Sequence, residues 1–172
     1  AISGLMGSGR TELAHAIFGR RRADKGEVII NGTPVRRSTP SRSIRRKLGY
    51  ATEDRKKDGL MLNLSIKDNV VLSSYDRFMN RLTLIRDGAA AKATDREMKR
   101  LQVRATDRNQ LVKYLSGGNQ QKVALAKWLL TDVDVLIMDE PTRGIDIGAK
   151  MEIYNLIHEL VQKGVCVIFI SS

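Results

Sequence analysis

Apolar positions at Leu13, Ala14, Ile17 and Phe18 recur at helical spacing and predict a helix from Arg10 to Phe18 that stops at Gly19. Ser3 to Gly9, just before it, reads as a strand end followed by a glycine-rich turn. Val28-Ile29-Ile30, Asn31-Gly32 and Pro34-Val35 read as a β-hairpin, because Asn-Gly supplies two positive-φ residues in succession. A helix around Pro40 to Lys47, a short strand from Leu48 to Ala51 and a very polar turn from Thr52 to Gly59 follow. Between about Ser65 and Gln110 charge rises and the apolar pattern weakens, with helices at Ile66 to Leu72 and Ala89 to Leu101. Helical periodicity returns from Gly118 to Leu130 through Val123, Ala124, Ala126, Lys127 and Leu130. The strand Val133 to Met138, a helix from about Gly148 to Gln162, a stop at Gly164 and a last strand from Val165 to Ile170 complete the pattern.

Strand and helix alternate on both sides of the helical stretch, which predicts an α/β fold with a mostly parallel sheet flanked by crossover helices. The expected organisation is one domain over residues 1–172, with a core from 1–64 and 111–172 and an inserted helical subdomain at 65–110. Both ends read as truncated. With 172 residues and 42% apolar content there is enough chain for one sizeable core, and only 5% aromatics argues against an all-β sandwich. Val165 to Ile170, the longest purely apolar run, is far short of the ~20 residues a membrane helix needs. Ala1-Ile2-Ser3 lacks the features of a signal peptide. Cys166, the one cysteine, is expected as a small buried hydrophobe in a reducing compartment. The net charge of +11 includes clusters at Arg20-Arg21-Arg22, Arg45-Arg46-Lys47 and Arg55-Lys56-Lys57. None is interleaved with aromatics, so they read as solvated faces and no nucleic-acid partner is expected.

Gly4-Leu5-Met6-Gly7-Ser8-Gly9-Arg10-Thr11 has the P-loop spacing G-x-x-x-x-G-K-[ST], except that Arg10 stands where Lys belongs. Glycines let backbone N–H groups turn inward around a phosphate, and the Thr11 hydroxyl suits Mg2+. A guanidinium is planar and forked where an ammonium is a compact charge, so Arg10 favours phosphate binding over efficient hydrolysis. Asp139 closes the apolar strand Val135 to Met138, where a carboxylate suits Mg2+, and Glu140 stands where it orients an attacking water. Ser116-Gly117-Gly118 opens a helix with small residues that suit a γ-phosphate. This element lies far from its own P-loop in sequence, so it suits a phosphate presented by a second, similar domain packed head to tail. Trp128, His15 and His158 fall in predicted helices and are assigned packing or a wet helix face.

Taken together, Gly4 to Leu13, Glu53-Asp54-Arg55-Lys56, Leu115 to Lys122 and Asp139 to Asp146 resemble the ATP-binding cassette superfamily. The resemblance is closest to the second cassette in the tandem ATP-binding subunit of bacterial monosaccharide importers of the ribose, galactose and xylose group. It implies a P-loop NTPase fold with a helical subdomain between P-loop and signature. It implies ATP and Mg2+ as cofactors, with Gly4, Gly7, Ser8, Gly9, Arg10, Thr11 and Glu12 on the nucleotide and Thr11, Glu53 and Asp139 on the metal. Glu140 is the catalytic carboxylate by this resemblance, Ser116, Gly117, Gly118 and Asn119 the signature, and Asp146 part of the D-loop. Implied partners are a second cassette, integral-membrane permease subunits facing Asp54 to Leu62 and, indirectly, a periplasmic sugar-binding protein. The implied location is the cytoplasmic face of the bacterial inner membrane. Arg10 for Lys, Glu53 for Gln and Asn119 for Gln depart from the general pattern, and with similar second cassettes imply a weak or inactive half-site. The adenine-stacking aromatic is expected before Ala1 and the switch residue after Ser172. Two alternatives remain: a non-hydrolysing allosteric half, and a soluble cassette protein outside transport.

Overall fold

The computed structural model describes residues 1–5, 7–30, 32–35, 39–80 and 84–172. Met6 of the glycine-rich loop and Asn31 of the expected Asn-Gly turn lie outside the described residues. Four parallel strands form the central sheet in the order β1 (Ile2–Ser3), β6 (Cys166–Ser171), β5 (Val135–Asp139), β4 (Leu48–Ala51). A separate antiparallel pair, β2 (Ile29–Ile30) and β3 (Thr33–Pro34), forms the hairpin read from the sequence. The helices are α1 (Arg10–Phe18), α2 (Pro40–Arg45), α3 (Ile66–Val71), α4 (Tyr75–Phe78), α5 (Asp87–Arg100), α6 (Gly117–Leu129) and α7 (Ile147–Gln162).

Local chemistry sets the helix ends. α1 closes on Gly19, whose left-handed backbone lets its N–H reach the Ala16 and His15 carbonyls. α2 opens with the Thr39 side chain accepting from the Arg42 N–H and with Pro40 in the first turn. Asp146 caps α7 by accepting from the Ala149 N–H at 2.9 Å. The polar turn after β4 is a single π-helical turn over Arg55–Gly59, with Asp54 accepting from the Lys57 N–H at 3.1 Å. Apart from α4, which the periodicity did not predict, the other helix and strand bounds fall within about two residues of those predicted.

The core lies between the sheet and α6, with Leu125, Val123, Leu136, Ile137, Met138, Leu48, Ile153 and Ile170 all essentially inaccessible. Each such side chain contributes roughly 2 kcal/mol by leaving water. α3, α5 and α7 pack around α6, so residues of the 65–110 stretch such as Ile66 and Val70 belong to the same apolar cluster as the sheet.

The last strand differs from expectation. Cys166 is exposed, and of β6 only Ile170 is buried. Within the sheet, Ile170 and Ser171 of β6 pair with β1, and Cys166 to Ile170 pair with β5. The apolar run was a sound sign of a strand and a poor sign of its depth.

α6 carries buried polar side chains that periodicity places on its apolar side. Lys127 donates to the Gly59 carbonyl at 2.6 Å and lies 5.0 Å from the Trp128 ring centroid. Burial pushes its ammonium down to about 8 from the ordinary 10.5. Between those two values the unfolded chain holds a proton that the folded chain has released, so stability rises with pH across that window. The stability difference between the unaltered chain and Lys127→Met should therefore shift by about 3 kcal/mol in favour of the unaltered chain as pH rises through the window. Urea midpoints at its two ends measure this, and a constant difference would show that the ammonium is not desolvated.

Candidate functional site

All four strands of the central sheet point their C-terminal ends the same way, so the segments leaving them meet at one edge. A cavity of about 650 Å3 opens there. Gly7, Ser8 and Gly9 line it from the loop after β1, Arg10, Thr11 and Glu12 from the first turn of α1, Glu53 from the turn after β4, and Asp139 and Glu140 from the end of β5. Gly7 and Gly9 have φ of 80° and 84°, a region open to glycine without strain, which lets the loop fold back into α1. Gly9 is the N-cap and brings no side chain, so the first-turn N–H groups of α1 stay available to an anion. Gly4, predicted to touch the nucleotide, is not among the cavity-lining residues.

Charges inside the cavity are tied to one another. The Arg10 guanidinium donates to the Ser171 carbonyl, and to the Leu5 carbonyl at 3.3 Å, and stands 3.9 Å from the Glu140 carboxylate. Arg10 thus bridges the P-loop and the end of β6 instead of extending as a free cation. Glu53 is ion-paired with Arg143. Glu140 has φ of 45°, a left-handed conformation that costs a residue with a side chain on the order of 1–3 kcal/mol. Two backbone bonds hold it there, from its own N–H to the Ile170 carbonyl and from the Arg143 N–H to its carbonyl, each at 3.0 Å.

Asp139 is 1% exposed, and the Tyr50 hydroxyl donates to it at 3.1 Å. Burial first, and the Asp139 carboxylate second, push the Tyr50 phenol well above its ordinary value, so it remains a donor. His15 meets the Tyr50 ring edge-on at a centroid distance of 5.6 Å, and burial lowers its pKa, which favours the neutral ring. The aromatic neighbours of Asp139 therefore supply one hydrogen bond and no formal charge.

The predicted signature residues lie elsewhere. Ser116, Gly118, Asn119 and Asp146 line a second cavity of about 210 Å3 with Arg104, Lys122 and Glu152, and none of them lines the first. Ser116 is the N-cap of α6, and its hydroxyl accepts from no backbone N–H of the first turn. Asn119 donates to the Ser116 hydroxyl at 3.0 Å and accepts from the Arg104 N–H at 2.8 Å, which fixes the rim. The Ala149 N–H, at the start of α7, is the main cause of a lowered Asp146 pKa and keeps that carboxylate charged. Gly117 lines neither cavity.

A family profile described as ABC transporter matches residues 1–143, the stretch that holds the glycine-rich loop, the signature segment and Asp139-Glu140. The chain belongs to the ABC transporter family. Among curated relatives it is 49% identical over 172 residues to the xylose import ATP-binding protein XylG of Thermoanaerobacter pseudethanolicus, covering 99% of the chain and 34% of that protein. It is 44% identical over 171 residues to the ribose import ATP-binding protein RbsA of Clostridium tetani, again covering 99% of the chain and 34% of the relative. The chain thus spans about a third of the length of the curated relatives it matches. Among solved structures, a dimeric ATP-binding cassette in a post-hydrolysis state bound to ADP and Pi superposes with a TM-score of 0.82 at 25% identity, covering 99% of this chain and 72% of that one. The parallel sheet and flanking helices are therefore the P-loop NTPase fold of an ATP-binding cassette.

Sequence reasoning gave no site role to Tyr50 or Arg143, and placed Arg55 only in the Asp54 to Leu62 stretch expected to face a permease. Tyr50 could have been found from its place one residue before the end of a strand predicted to run parallel to the Asp139 strand. In the structure it pairs in register with Ile137, two residues before Asp139. Tyr50→Phe should leave the buried carboxylate without this donor and cost about 1.5–3 kcal/mol, read as a lower urea midpoint with an unchanged slope. An unchanged midpoint would mean that the 3.1 Å bond contributes nothing.

Proposed function

We propose that this cassette binds ATP with Mg2+ and powers the import of a monosaccharide through a membrane permease. Its signature segment completes the ATP site of a second cassette, carried in tandem or by a dimer partner. The observation that carries this reading is the separation of the two half-sites. The P-loop and the carboxylates share one cavity, while Ser116, Gly118 and Asp146 share another. Neither is a whole nucleotide site, and head-to-tail pairing makes two whole sites from two such domains. The sugar-import relatives and the dimeric cassette bound to ADP and Pi support the same arrangement.

The donors around the first cavity fit Mg2+, being the Thr11 hydroxyl and the carboxylates of Asp139 and Glu53, all oxygen and all on its lining. Few protein ligands suffice, because Mg2+ keeps waters and phosphate oxygens in its shell; when bound it neutralises charge on the phosphates. Tyr50 orients Asp139, the first turn of α1 offers N–H groups to the phosphates, and Glu140 positions water. We read this half-site as slow or inactive, since Arg10 is held on carbonyls and faces Glu140 across 3.9 Å, offsetting the charge a general base would use. The non-hydrolysing allosteric reading draws on that same contact. Among the described residues no helix is long and apolar enough to cross a membrane. The cassette would therefore act peripherally, at the cytoplasmic face, on permease subunits supplied by a periplasmic sugar-binding protein.

MgATP hydrolysis by the complete ATP-binding subunit carrying Glu140→Gln tests this reading. Loss of a working catalytic carboxylate costs ~10²-fold or more, so a rate near that of the unaltered subunit is expected, and a collapse would overturn the weak-site reading. In the same assay Arg10→Lys, which gives up the forked contacts to Leu5 and Ser171, should raise turnover; no increase would mean that Arg10 is not what slows the site.

A further inference from the structure

One guanidinium touches segments that belong to both cavities. Arg55 lies in the π-helical turn after β4 and is 9% exposed. Its Nη1 donates to the Arg143 carbonyl at 3.0 Å and its Nη2 to the Gly144 carbonyl at 3.3 Å. The same Nη2 lies against the backbone of Gly117, where an added Cβ would sit 2.8 Å from it and 2.9 Å from the Gly144 oxygen. On one side Arg143 is ion-paired with Glu53, and both line the P-loop cavity. On the other side Gly117 opens α6 between Ser116 and Gly118, which line the signature cavity.

The guanidinium is packed tightly on its Gly117 side, while a cavity of about 290 Å3 lined by Glu53, Asp54, Lys56, Arg143 and Gly144 lies beside it. A displacement of the 53–59 turn, or of the carbonyls at 143 and 144, pulls on the guanidinium through its two hydrogen bonds, and there is no gap at Gly117 to absorb a shift in that direction. The arrangement is also costly, since burial pushes the guanidinium below the ordinary arginine value and its Nε is buried without a partner. An apolar side chain of similar size would fill this space at less cost. It could not hold two carbonyls and abut a third segment at once.

We propose that Arg55 is a positioning residue that links the Glu53 turn at this cassette's own nucleotide site to the start of α6, which serves the partner cassette's site. The inference rests on the reading that Ser116 to Gly118 complete a site on a second cassette. Steady-state MgATP hydrolysis by the complete subunit tests it with Arg55→Met, Arg55→Lys and, as reference, Ser116→Arg. A misplacement of about 1 Å at a catalytic surface costs up to ~10²-fold, so Arg55→Met is expected to lower kcat by about 10- to 100-fold with KM within about twofold. Arg55→Lys should recover part of the loss, because a single ammonium holds one carbonyl but not both. Gly117→Ala, which keeps Arg55 and places a methyl against its Nη2, should reproduce the kcat loss even if Arg55→Met does not fold. Unaltered kcat in Gly117→Ala overturns the linking role, and unaltered kcat in a folded Arg55→Met that sits beside an inactive Ser116→Arg overturns it while leaving the signature assignment standing. Unaltered kcat in Ser116→Arg overturns the signature assignment itself, and the link with it.

Discussion

A helix buried on nearly all sides must find partners for the polar side chains it carries, and α6 is such a helix. Gln120 donates to the Val112 carbonyl at 3.2 Å, Lys122 to the Gln102 carbonyl at 2.9 Å and Lys127 to the Gly59 carbonyl at 2.6 Å. Lys122 also pairs with Glu152 of α7 at 2.6 Å. These bonds pin short turns between the longer elements: the 3-10 turn at Val112, the π-helical turn ending at Gly59, and Gln102, whose φ is 50°. The turn that carries Glu53 and the segment that leads to Arg104 therefore take support from a single rod, and the sheet takes its cover from the apolar side of the same rod. An unpaired buried amide or ammonium would cost about 1–3 kcal/mol, so these bonds favour one arrangement of the segments over many, although the Gln120 Oε1 is itself buried without a partner.

The parallel sheet adds a second constraint by delivering every chemically active segment to one edge. β1, β4, β5 and β6 end in the P-loop, the Glu53 turn, Asp139-Glu140 and Ser171 respectively. Bringing acids and cations so close in a partly buried cavity would be unfavourable unless they paired, and they do. Arg10 faces Glu140, Arg143 meets Glu53, and Tyr50 donates to Asp139. The left-handed backbone at Glu140 is tolerated because neighbouring strand and turn amides hold it from both sides.

Much of this architecture was legible along the chain. The helix over Arg10 to Phe18 was read at its observed ends, because periodicity, a glycine start and a glycine stop all act within one or two turns. The strands before Thr52 and before Glu140 were read for the same reason. The depth of β6 was not, since an apolar run marks a strand without saying what packs over its faces. The polar turn after β4 showed its charge but not its π-helical form or its buried arginine.

The sequence by itself determined the order of elements, the glycine-rich loop, the acidic pair at a strand end and the family resemblance, all of which live in residue types at short spacing. Only the tertiary structure decided that these motifs divide between two cavities and that Gly4 and Gly117 stand outside both. It alone decided that Tyr50 orients Asp139 and that Arg55 joins three segments. Those contacts join residues 89, 88 and 89 positions apart, where no local pattern registers a partner. Whether two such groups meet depends on strand register and on the close packing around α6, which become definite only when the whole core has formed.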